Sequence, residues 1–235
     1  MHSKTQYFFD TIRHRLIVSC QAEADSPFNN ASDMIKFAKC AIVGGASAIR
    51  SEGSEKTKAI IENINVPVIG LIKSEFKDGN VKITGSTQDV EQLLSIGCNI
   101  IAIDGTFRLR ENLTGPEFIH KVKQKYDCIV MADIANEEEA IACEEMGADC
   151  ISTTLNGYTP ETIEDKSNTP NFNLLKNVIS SCKIPVIAEG RFNTPDYASQ
   201  AIKLGAWSVV VGTAITRPQN ITQWFVDKIN SELED

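Results

Sequence analysis

The chain has 235 residues and a formal net charge of −8 at pH 7, and 42% of its residues are hydrophobic and 23% charged. These are the proportions of an ordinary globular protein that can bury a full core, so we expect residues 1–235 to form one domain, with residues 1–14 as a short N-terminal extension or helix. The acidic balance argues against a general nucleic-acid or anionic-membrane surface, and no apolar run approaches the roughly 18 residues of a membrane span.

Strand-like apolar runs and helix-like segments alternate from one end of the sequence to the other. We predict strands at residues 15–20, 47–50, 67–72, 99–103, 127–132, 150–154, 184–189 and 207–212. We predict helices at residues 31–43, 54–64, 87–96, 115–125, 136–146, 171–181, 195–204 and 219–233. This alternation indicates a parallel sheet with helical crossovers, and eight repeats of the unit favour an α/β fold closed into a (β/α)8 barrel.

A faint internal repeat supports the barrel over an open sheet. Glycines stand where predicted helices end, just before the even-numbered strands, at Gly45, Gly97, Gly147 and Gly205. A glycine at a helix end can take the left-handed cap conformation, and repeating quarters are typical of a barrel. The longest irregular stretch, Asn156 to Pro170, follows the sixth strand, where a long loop is usually functional.

The numbers and spacing of the cysteines and histidines argue against disulfide and metal sites. The seven cysteines are scattered without a C-x-x-C pair, which is typical of reduced thiols in a cytosol rather than of a disulfide framework or a zinc site. The three histidines are too few and too far apart to suggest a metal site. Nothing at the N-terminus marks the chain for export. We therefore expect a cytoplasmic protein whose chemistry rests on Lys, Asp, Glu and Arg.

Active residues of such barrels lie at the C-terminal ends of the strands, and most of the predicted ends carry a polar or charged side chain. These residues are Gln21, Arg50, Lys73, Asp104, Asp133, Thr153, Thr154, Glu189 and Thr213. Lys73 ends an otherwise apolar run, and it either extends out of the barrel mouth or acts as a base or Schiff-base amine with a lowered pKa. Glu189 is either a salt-bridge partner of a nearby arginine or the acid that faces Lys73.

Three further strand-end residues have structural alternatives. Asp104 and Asp133 are more often structural residues or ligands of a substrate hydroxyl than bases. Arg50 can hold an anion or neutralise one of these carboxylates.

The last two strands end in Gly190-Arg191 and Gly212-Thr213. The loops after strands seven and eight of a barrel often bind phosphate, so we expect a phosphate there.

Several motifs at these strand ends occur together in one known family. They are Ser19-Cys20-Gln21-Ala22 with Asp25 and Pro27, Gly70-Leu71-Ile72-Lys73, Met131-Ala132-Asp133-Ile134, Ser152-Thr153-Thr154-Leu155 with Gly157-Tyr158-Thr159, Ala188-Glu189-Gly190-Arg191 and Ala214-Ile215-Thr216-Arg217-Pro218. In this order they resemble the N-acetylmannosamine-6-phosphate 2-epimerases, over nearly the whole chain from about Leu16 to Phe225. The combination is far more specific than any single motif.

The resemblance implies a cytosolic enzyme of sialic acid catabolism that converts N-acetylmannosamine 6-phosphate to N-acetylglucosamine 6-phosphate on a (β/α)8 barrel, without a cofactor or a metal. It implies Lys73 and Glu189 as the catalytic pair, and it favours a homodimer. The expected substrate-binding residues are Gln21, Arg50, Asp133 and Thr154. The expected phosphate-binding residues are Gly190, Arg191, Gly212 and Thr213. Thr213 departs from the double glycine that is usual in the family, and its Cβ stands at one backbone approach to the phosphate.

The residues fit this reaction on chemical grounds. Inverting C2 of a 2-acetamido sugar means removing a proton from carbon and returning one to the other face, which an amine and a carboxylic acid can do together. Within enzymes, an aldolase that forms a Schiff base on Lys73 and a biosynthetic barrel of the histidine or thiazole type are alternatives. A non-catalytic phosphosugar-binding barrel is the alternative from another class, and it has no need for both Lys73 and Glu189.

Overall fold

Eight of the apolar runs form a closed parallel barrel in the computed structural model, which describes residues 4–23 and 25–232. The barrel strands are β1 Leu16–Cys20, β2 Ala48–Glu52, β3 Val68–Leu71, β6 Ile100–Asp104, β7 Ile129–Asp133, β8 Cys150–Ser152, β9 Val186–Ala188 and β10 Ser208–Val211. Their order around the barrel is β1-β10-β9-β8-β7-β6-β3-β2, and Leu16 pairs with Val209 where the circle closes. The predicted (β/α)8 barrel is confirmed.

Helices connect the strands and cover the outside of the barrel. They are α1 Lys4–Ile12, α2 Ala31–Val43, α3 Ser54–Ile61, α4 Thr87–Ser95, α5 Gly115–Lys125, α6 Glu137–Glu145, α7 Phe172–Ser181, α8 Pro195–Lys203, α9 Thr213–Thr216 and α10 Pro218–Ser231. No helix within the described ranges is long and apolar enough to cross a membrane. Residue 233 of the predicted last helix, and residues 1–3 of the expected extension, lie outside the described residues.

Caps fix the helix ends that the sequence predicted best. The predicted bounds of α2 and α5 match the structure, and both helices have capping bonds at their N-termini. Asn30 accepts from the Asp33 N–H at 2.9 Å. At the start of α5, Glu117 reaches back to accept from the Thr114 N–H at 2.8 Å.

The core has two parts, as alternation along buried strands requires. Inward-facing residues such as Ile17, Ile69 and Met131 are fully buried inside the barrel, with Phe8 and Ile12 of α1 packed in the same cluster. Helix α1 therefore covers the N-terminal end of the barrel. Outward-facing strand residues pack against the helices in two further clusters. The N-terminal end is closed by core packing, which leaves the C-terminal end for a site.

Two segments differ from the predicted pattern. The third strand ends at Leu71, and Lys73 begins a separate antiparallel hairpin of β4 Lys73–Glu75 and β5 Val81–Ile83. Its turn contains Gly79 at φ +80°, a conformation that glycine adopts freely. The irregular stretch predicted from Asn156 to Pro170 contains a short 3-10 helix, Pro160–Asp165. Both segments stand at the C-terminal face of the barrel.

Candidate active site

A cavity of about 390 Å³ opens at the C-terminal ends of the strands. It is lined by nine of the ten residues that the sequence nominated for the site, namely Gln21, Arg50, Lys73, Thr154, Glu189, Gly190, Arg191, Gly212 and Thr213. Apolar side chains of Leu71, Val81 and Ile83 form part of its wall. Polar groups from several different strands therefore converge on one space large enough for a small ligand.

Arg50 is the charged centre below this cavity. It is the largest fully buried side chain, with 1% of its surface exposed. Its guanidinium donates to both carboxylate oxygens of Asp133, at 3.0 and 2.5 Å, and to Oε2 of Glu189 at 2.8 Å. Burial opposes the positive charge, but Asp133 and Glu189 together raise the pKa of Arg50 above its ordinary value. Arg50 stays a cation between two acids.

Glu189 follows β9 and is held through one oxygen only. Its Oε2 accepts from Arg50 and from the hydroxyls of Ser152 at 3.2 Å and Thr154 at 3.0 Å. Its Oε1 has no hydrogen-bond partner among the described residues, and the side chain lines the cavity with 12% of its surface exposed. Burial raises the pKa of Glu189 above its ordinary value, opposed by Arg50 and reinforced by Asp133. Glu189 is therefore suited to hold a proton that a free carboxyl would lose.

Asp133, the remaining nominated residue, does not line the cavity. Its carboxylate is completely buried under Arg50, and its Oδ1 lies 2.9 Å from the Thr154 hydroxyl, which has one proton to share between Asp133 and Glu189. Burial raises the pKa of Asp133, while the adjacent Arg50 opposes this rise. A fully buried carboxylate with these partners orients Arg50 and Thr154. The expected direct contact of Asp133 with the sugar is not what this geometry offers.

Lys73 enters the same cavity from the hairpin. Its amine makes no hydrogen bond or ion pair within the described part of the chain, and its side chain is exposed to the open cavity. The surrounding walls still displace water, so burial lowers the pKa of Lys73, and the charges of Arg217 and Arg50 add to this effect against those of Glu52 and Glu189. A lysine without a partner and with a lowered pKa can accept a proton.

Gln21 directly follows the first barrel strand and lines the cavity. It is 7% exposed and donates through Nε2 to the Ser19 hydroxyl at 2.8 Å. This bond orients the amide, and no described residue binds its carbonyl oxygen Oε1. Gln21 can therefore offer a fixed acceptor to a ligand hydroxyl or amide.

The loops after β9 and β10 combine glycine and a short helix. Gly190 has φ +104°, and Arg191 follows at φ +63°. Helix α9 begins at Thr213, directly after Gly212, and lies beside β1. In barrels of this kind, the loops after strands seven and eight and the start of a short extra helix are a frequent phosphate site. The backbone conformation here has that arrangement.

The side chain of Arg191 binds the 156–170 loop. Its guanidinium donates to the backbone oxygen of Asn156 at 3.1 Å, to the Asn156 side-chain oxygen at 3.1 Å and to the backbone oxygen of Thr169 at 3.0 Å. These bonds tie the two ends of the 156–170 loop to the end of β9. They use three of the five guanidinium N–H groups.

Arg217, which belongs to the last of the sequence motifs, is a cavity residue for which no role was predicted. It lines the cavity and donates to Glu23 at 2.8 Å, and its charge acts on Lys73. The ion pair is partly exposed, so a stronger anion can compete for this arginine. The signal available in the sequence was its place directly after the glycine-containing loop that follows the last strand.

Asp104 is a strand-end residue that stays away from the cavity. Its carboxylate is completely buried and pairs with Arg108 and Arg110, each at 3.0 Å. The arginines also bind Thr106. These contacts support a structural role for Asp104, which was one of the roles expected from the sequence.

Comparison with known proteins agrees with this architecture. A family model described as "Putative N-acetylmannosamine-6-phosphate epimerase" matches residues 34–231. A relative from Clostridioides difficile (strain 630), described as "Putative N-acetylmannosamine-6-phosphate 2-epimerase", is 44% identical over 222 residues, which is 94% of this chain and 98% of the relative. A relative of the same description from Oceanobacillus iheyensis is 44% identical over 219 residues, 92% of this chain and 99% of the relative.

Solved structures show the same likeness. The N-acetylmannosamine-6-phosphate 2-epimerase from Clostridium perfringens is 42% identical, with a TM-score of 0.89, and the match covers 97% of this chain and 98% of that one. Thiamine phosphate pyrophosphorylase from Pyrococcus furiosus is 17% identical, with a TM-score of 0.60 over 88% of this chain and 89% of that one. The second likeness concerns the fold alone.

Proposed function

This chain belongs to the N-acetylmannosamine-6-phosphate epimerase family, and we propose that it inverts C2 of N-acetylmannosamine 6-phosphate to give N-acetylglucosamine 6-phosphate, as an isomerase of amino sugar and sialic acid breakdown. The observation that carries this proposal is the meeting in one cavity of an unpaired lysine with a lowered pKa and a carboxyl with a raised pKa. The two shifts favour the protonation states that proton transfer needs, a neutral amine and a protonated carboxyl.

Lys73 is the base and Glu189 is the acid in this proposal. C2 is acidic only when C1 is the open-chain aldehyde, so ring opening comes first. The neutral amine of Lys73 then takes the C2 proton, the negative charge moves to the aldehyde oxygen, and a proton is returned to the other face of C2. Glu189 can supply that proton through Oε1, because Oε2 is occupied by Arg50. One proton leaves C2 and one arrives, so the step needs no redox cofactor. Lys73 then releases its proton to solvent and Glu189 takes one up, which restores the starting protonation states.

Arg50 supplies the positive charge that an enolate oxygen needs. Its position is set by the two-oxygen contact with Asp133, and Thr154 links Asp133 to Glu189 through one hydroxyl. Asp133 is therefore proposed as a positioning residue. Gln21 and Thr154 are proposed to contact the sugar from the cavity wall.

The phosphate is proposed to lie on the backbone N–H groups around Gly190, Arg191, Gly212 and Thr213. Gly190 and Gly212 leave room for an anion to approach the chain closely. Arg217 is proposed as the side-chain cation of this site, released from Glu23 when the phosphate binds. The guanidinium of Arg191 is proposed to hold the 156–170 loop instead.

We also propose that the whole chain is one barrel domain that acts in the cytoplasm as a homodimer. Helix α10 contains no buried residue in the single chain, although Trp224, Phe225 and Ile229 are large and apolar. Phe225 is 68% and Ile229 is 61% exposed. An apolar helix face with this exposure is typical of a surface that a second subunit covers.

A comparison of wild type with Lys73→Arg tests the proposed function. Wild type should convert N-acetylmannosamine 6-phosphate to N-acetylglucosamine 6-phosphate without added nucleotide, and the variant should lose activity by roughly a hundredfold or more, because an arginine stays protonated. Lys82→Arg, the same change on the other strand of the hairpin, is the control and should keep its activity. Trapping of a sugar adduct on Lys73 by borohydride would instead favour the aldolase, and binding without turnover would favour a phosphosugar-binding protein.

A further inference from the structure

The barrel sheet does not hold the residue proposed as the base. Lys73 is the first residue of the β4–β5 hairpin, where it pairs with Ile83. The base of the hairpin is closed by Thr84, whose N–H donates to the Ile72 carbonyl at 2.7 Å and whose hydroxyl accepts from the Ile72 N–H at 3.2 Å. Since the amine of Lys73 has no partner of its own, its position depends on how firmly the rest of the hairpin is held.

The tip of the hairpin is held by an aromatic contact. Phe76 begins the turn, where its N–H donates to the Asn80 carbonyl at 2.9 Å and its carbonyl accepts from the Gly79 N–H at 3.0 Å. The guanidinium of Arg108 lies 4.2 Å from the centre of the Phe76 ring. Lys82 and Arg110 lie at 5.3 and 6.0 Å from the same ring. Three cations around one ring make a strong aromatic anchor.

Arg108 is itself fixed to the barrel. It pairs with Asp104 at 3.0 Å, and its Nε donates to the Thr106 hydroxyl at 3.0 Å. Asp104 is the last residue of β6, and its second oxygen binds the fully buried Arg110. A continuous set of contacts therefore runs from the end of a barrel strand, through Asp104 and Arg108, to Phe76 at the tip of the hairpin that carries Lys73.

We propose that Phe76, stacked on Arg108, is a positioning residue that holds the hairpin against the barrel and so keeps the Lys73 amine at the reacting carbon. This inference rests on the proposed function, because the contact between Phe76 and Arg108 can affect catalysis in this way only if Lys73 acts as a base. Val81 and Ile83 of the same hairpin line the cavity, so a loosened hairpin disturbs the wall as well as the amine.

The charges that face Lys73 come from three other parts of the barrel. Arg217 follows β10, Arg50 and Glu52 belong to β2, and Glu189 follows β9. If the hairpin moves outward, the amine leaves these charges and the surrounding walls and enters water. The pKa of Lys73 then rises towards its ordinary value, which a general loss of stability would not cause.

The test compares Phe76→Ala with Phe76→Trp and with the control Phe107→Ala. Phe107 lies in the same loop as Arg108, is 46% exposed and makes no ring contact among the described residues. The measurements are kcat and KM for the epimerisation, and the pKa of Lys73 from the pH dependence of its labelling by an amine-reactive acetylating reagent, read by mass spectrometry.

We expect Phe76→Ala to lower kcat by about ten- to a hundredfold, as misplacement of a reacting group does, and to change KM by a smaller factor, through the displaced wall residues Val81 and Ile83. Its Lys73 should titrate at higher pH than in wild type. Phe76→Trp should keep the wild-type kcat and the wild-type titration of Lys73, because tryptophan offers an aromatic face to Arg108. Phe107→Ala should resemble wild type. Arg108→Ala combined with Phe76→Ala should lower kcat no further than the more damaging single change.

The inference is overturned if folded Phe76→Ala keeps the wild-type kcat and Lys73 titration. It is equally overturned if the loss of activity follows only the folded fraction, if KM alone changes, or if the losses of Phe76→Ala and Arg108→Ala add. Wild type is assayed in parallel. An inactive wild type would refute the proposed function, whereas an active wild type with an unaffected Phe76→Ala would refute this inference alone.

Discussion

Replacing Glu189 by glutamine separates the role of this residue in catalysis from its role in stability. Glutamine has nearly the same shape, and its carbonyl oxygen can take the place of Oε2 as acceptor for Arg50, Ser152 and Thr154. Its amide nitrogen then faces the cavity where Oε1 stood. No hydrogen-bond partner is left without a bond, but the residue can no longer exchange a proton.

The raised pKa of Glu189 determines whether the stability of the protein rises or falls with pH. Burial, the largest cause, raises this pKa above 4.5, so the folded state binds more protons than the unfolded state between about pH 4.5 and the folded pKa. The wild-type protein therefore loses stability as the pH rises through that window. The variant lacks this titration, so its stability relative to wild type should increase across the window and stay constant above it.

We expect Glu189→Gln to lower kcat by about 10²- to 10⁴-fold, the usual contribution of a positioned acid or base. At pH 8 it should be as stable as wild type or more stable by about 0.5–2 kcal/mol, because the neutral amide removes the cost of burying the charged carboxylate. Urea unfolding at pH 5 and pH 8 measures the stability, and the epimerisation assay measures kcat. A variant that is more than about 1 kcal/mol less stable at pH 8 would refute this reasoning, as would one that keeps a tenth of its activity.

Three further predictions follow from the geometry. Gly190→Ala should raise KM and cost roughly 1–2 kcal/mol of unfolding free energy, because its φ of +104° is strained for any side chain, and a wild-type KM would be evidence against the phosphate site. Arg217→Gln should raise KM at least about tenfold while kcat changes less, and the effect should shrink for an unphosphorylated sugar. Phe225→Asp combined with Ile229→Asp should give a monomer in analytical ultracentrifugation, and an unchanged mass would mean that α10 is not the interface.

The barrel and most of the cavity could be predicted because their signals are local. Strands buried on both faces read as apolar runs, and a charge directly after such a run, as at Glu189, is a candidate for the site. Helix α2 was placed to the residue, and in the structure Asn30 caps its first turn. These features depend on neighbours in the sequence.

The contacts that were not predicted join distant parts of the chain. The guanidinium of Arg191 binds Asn156 and Thr169, and nothing near Arg191 in the sequence indicates this. Asp133 lies below the cavity because Arg50, 83 residues away, occupies the space above it. The hairpin had a local signal, since Asp78-Gly79 between two short alternating segments is typical of a tight turn. Lys73 was nevertheless placed at the end of the third strand because the apolar run leads directly into it.

The measurement that tests the proton-transfer mechanism most directly is the reaction in D₂O, followed at C2 by NMR. N-acetylmannosamine 6-phosphate is incubated with the protein without added metal or nucleotide, alongside the Lys73→Ala variant. With Lys73 as base and Glu189 as acid, the product N-acetylglucosamine 6-phosphate should carry deuterium at C2, and the variant should exchange the C2 proton at no more than a few per cent of the wild-type rate. The proton-transfer mechanism would be contradicted by product that retains its C2 proton, or by a Lys73→Ala variant that exchanges this proton as fast as wild type.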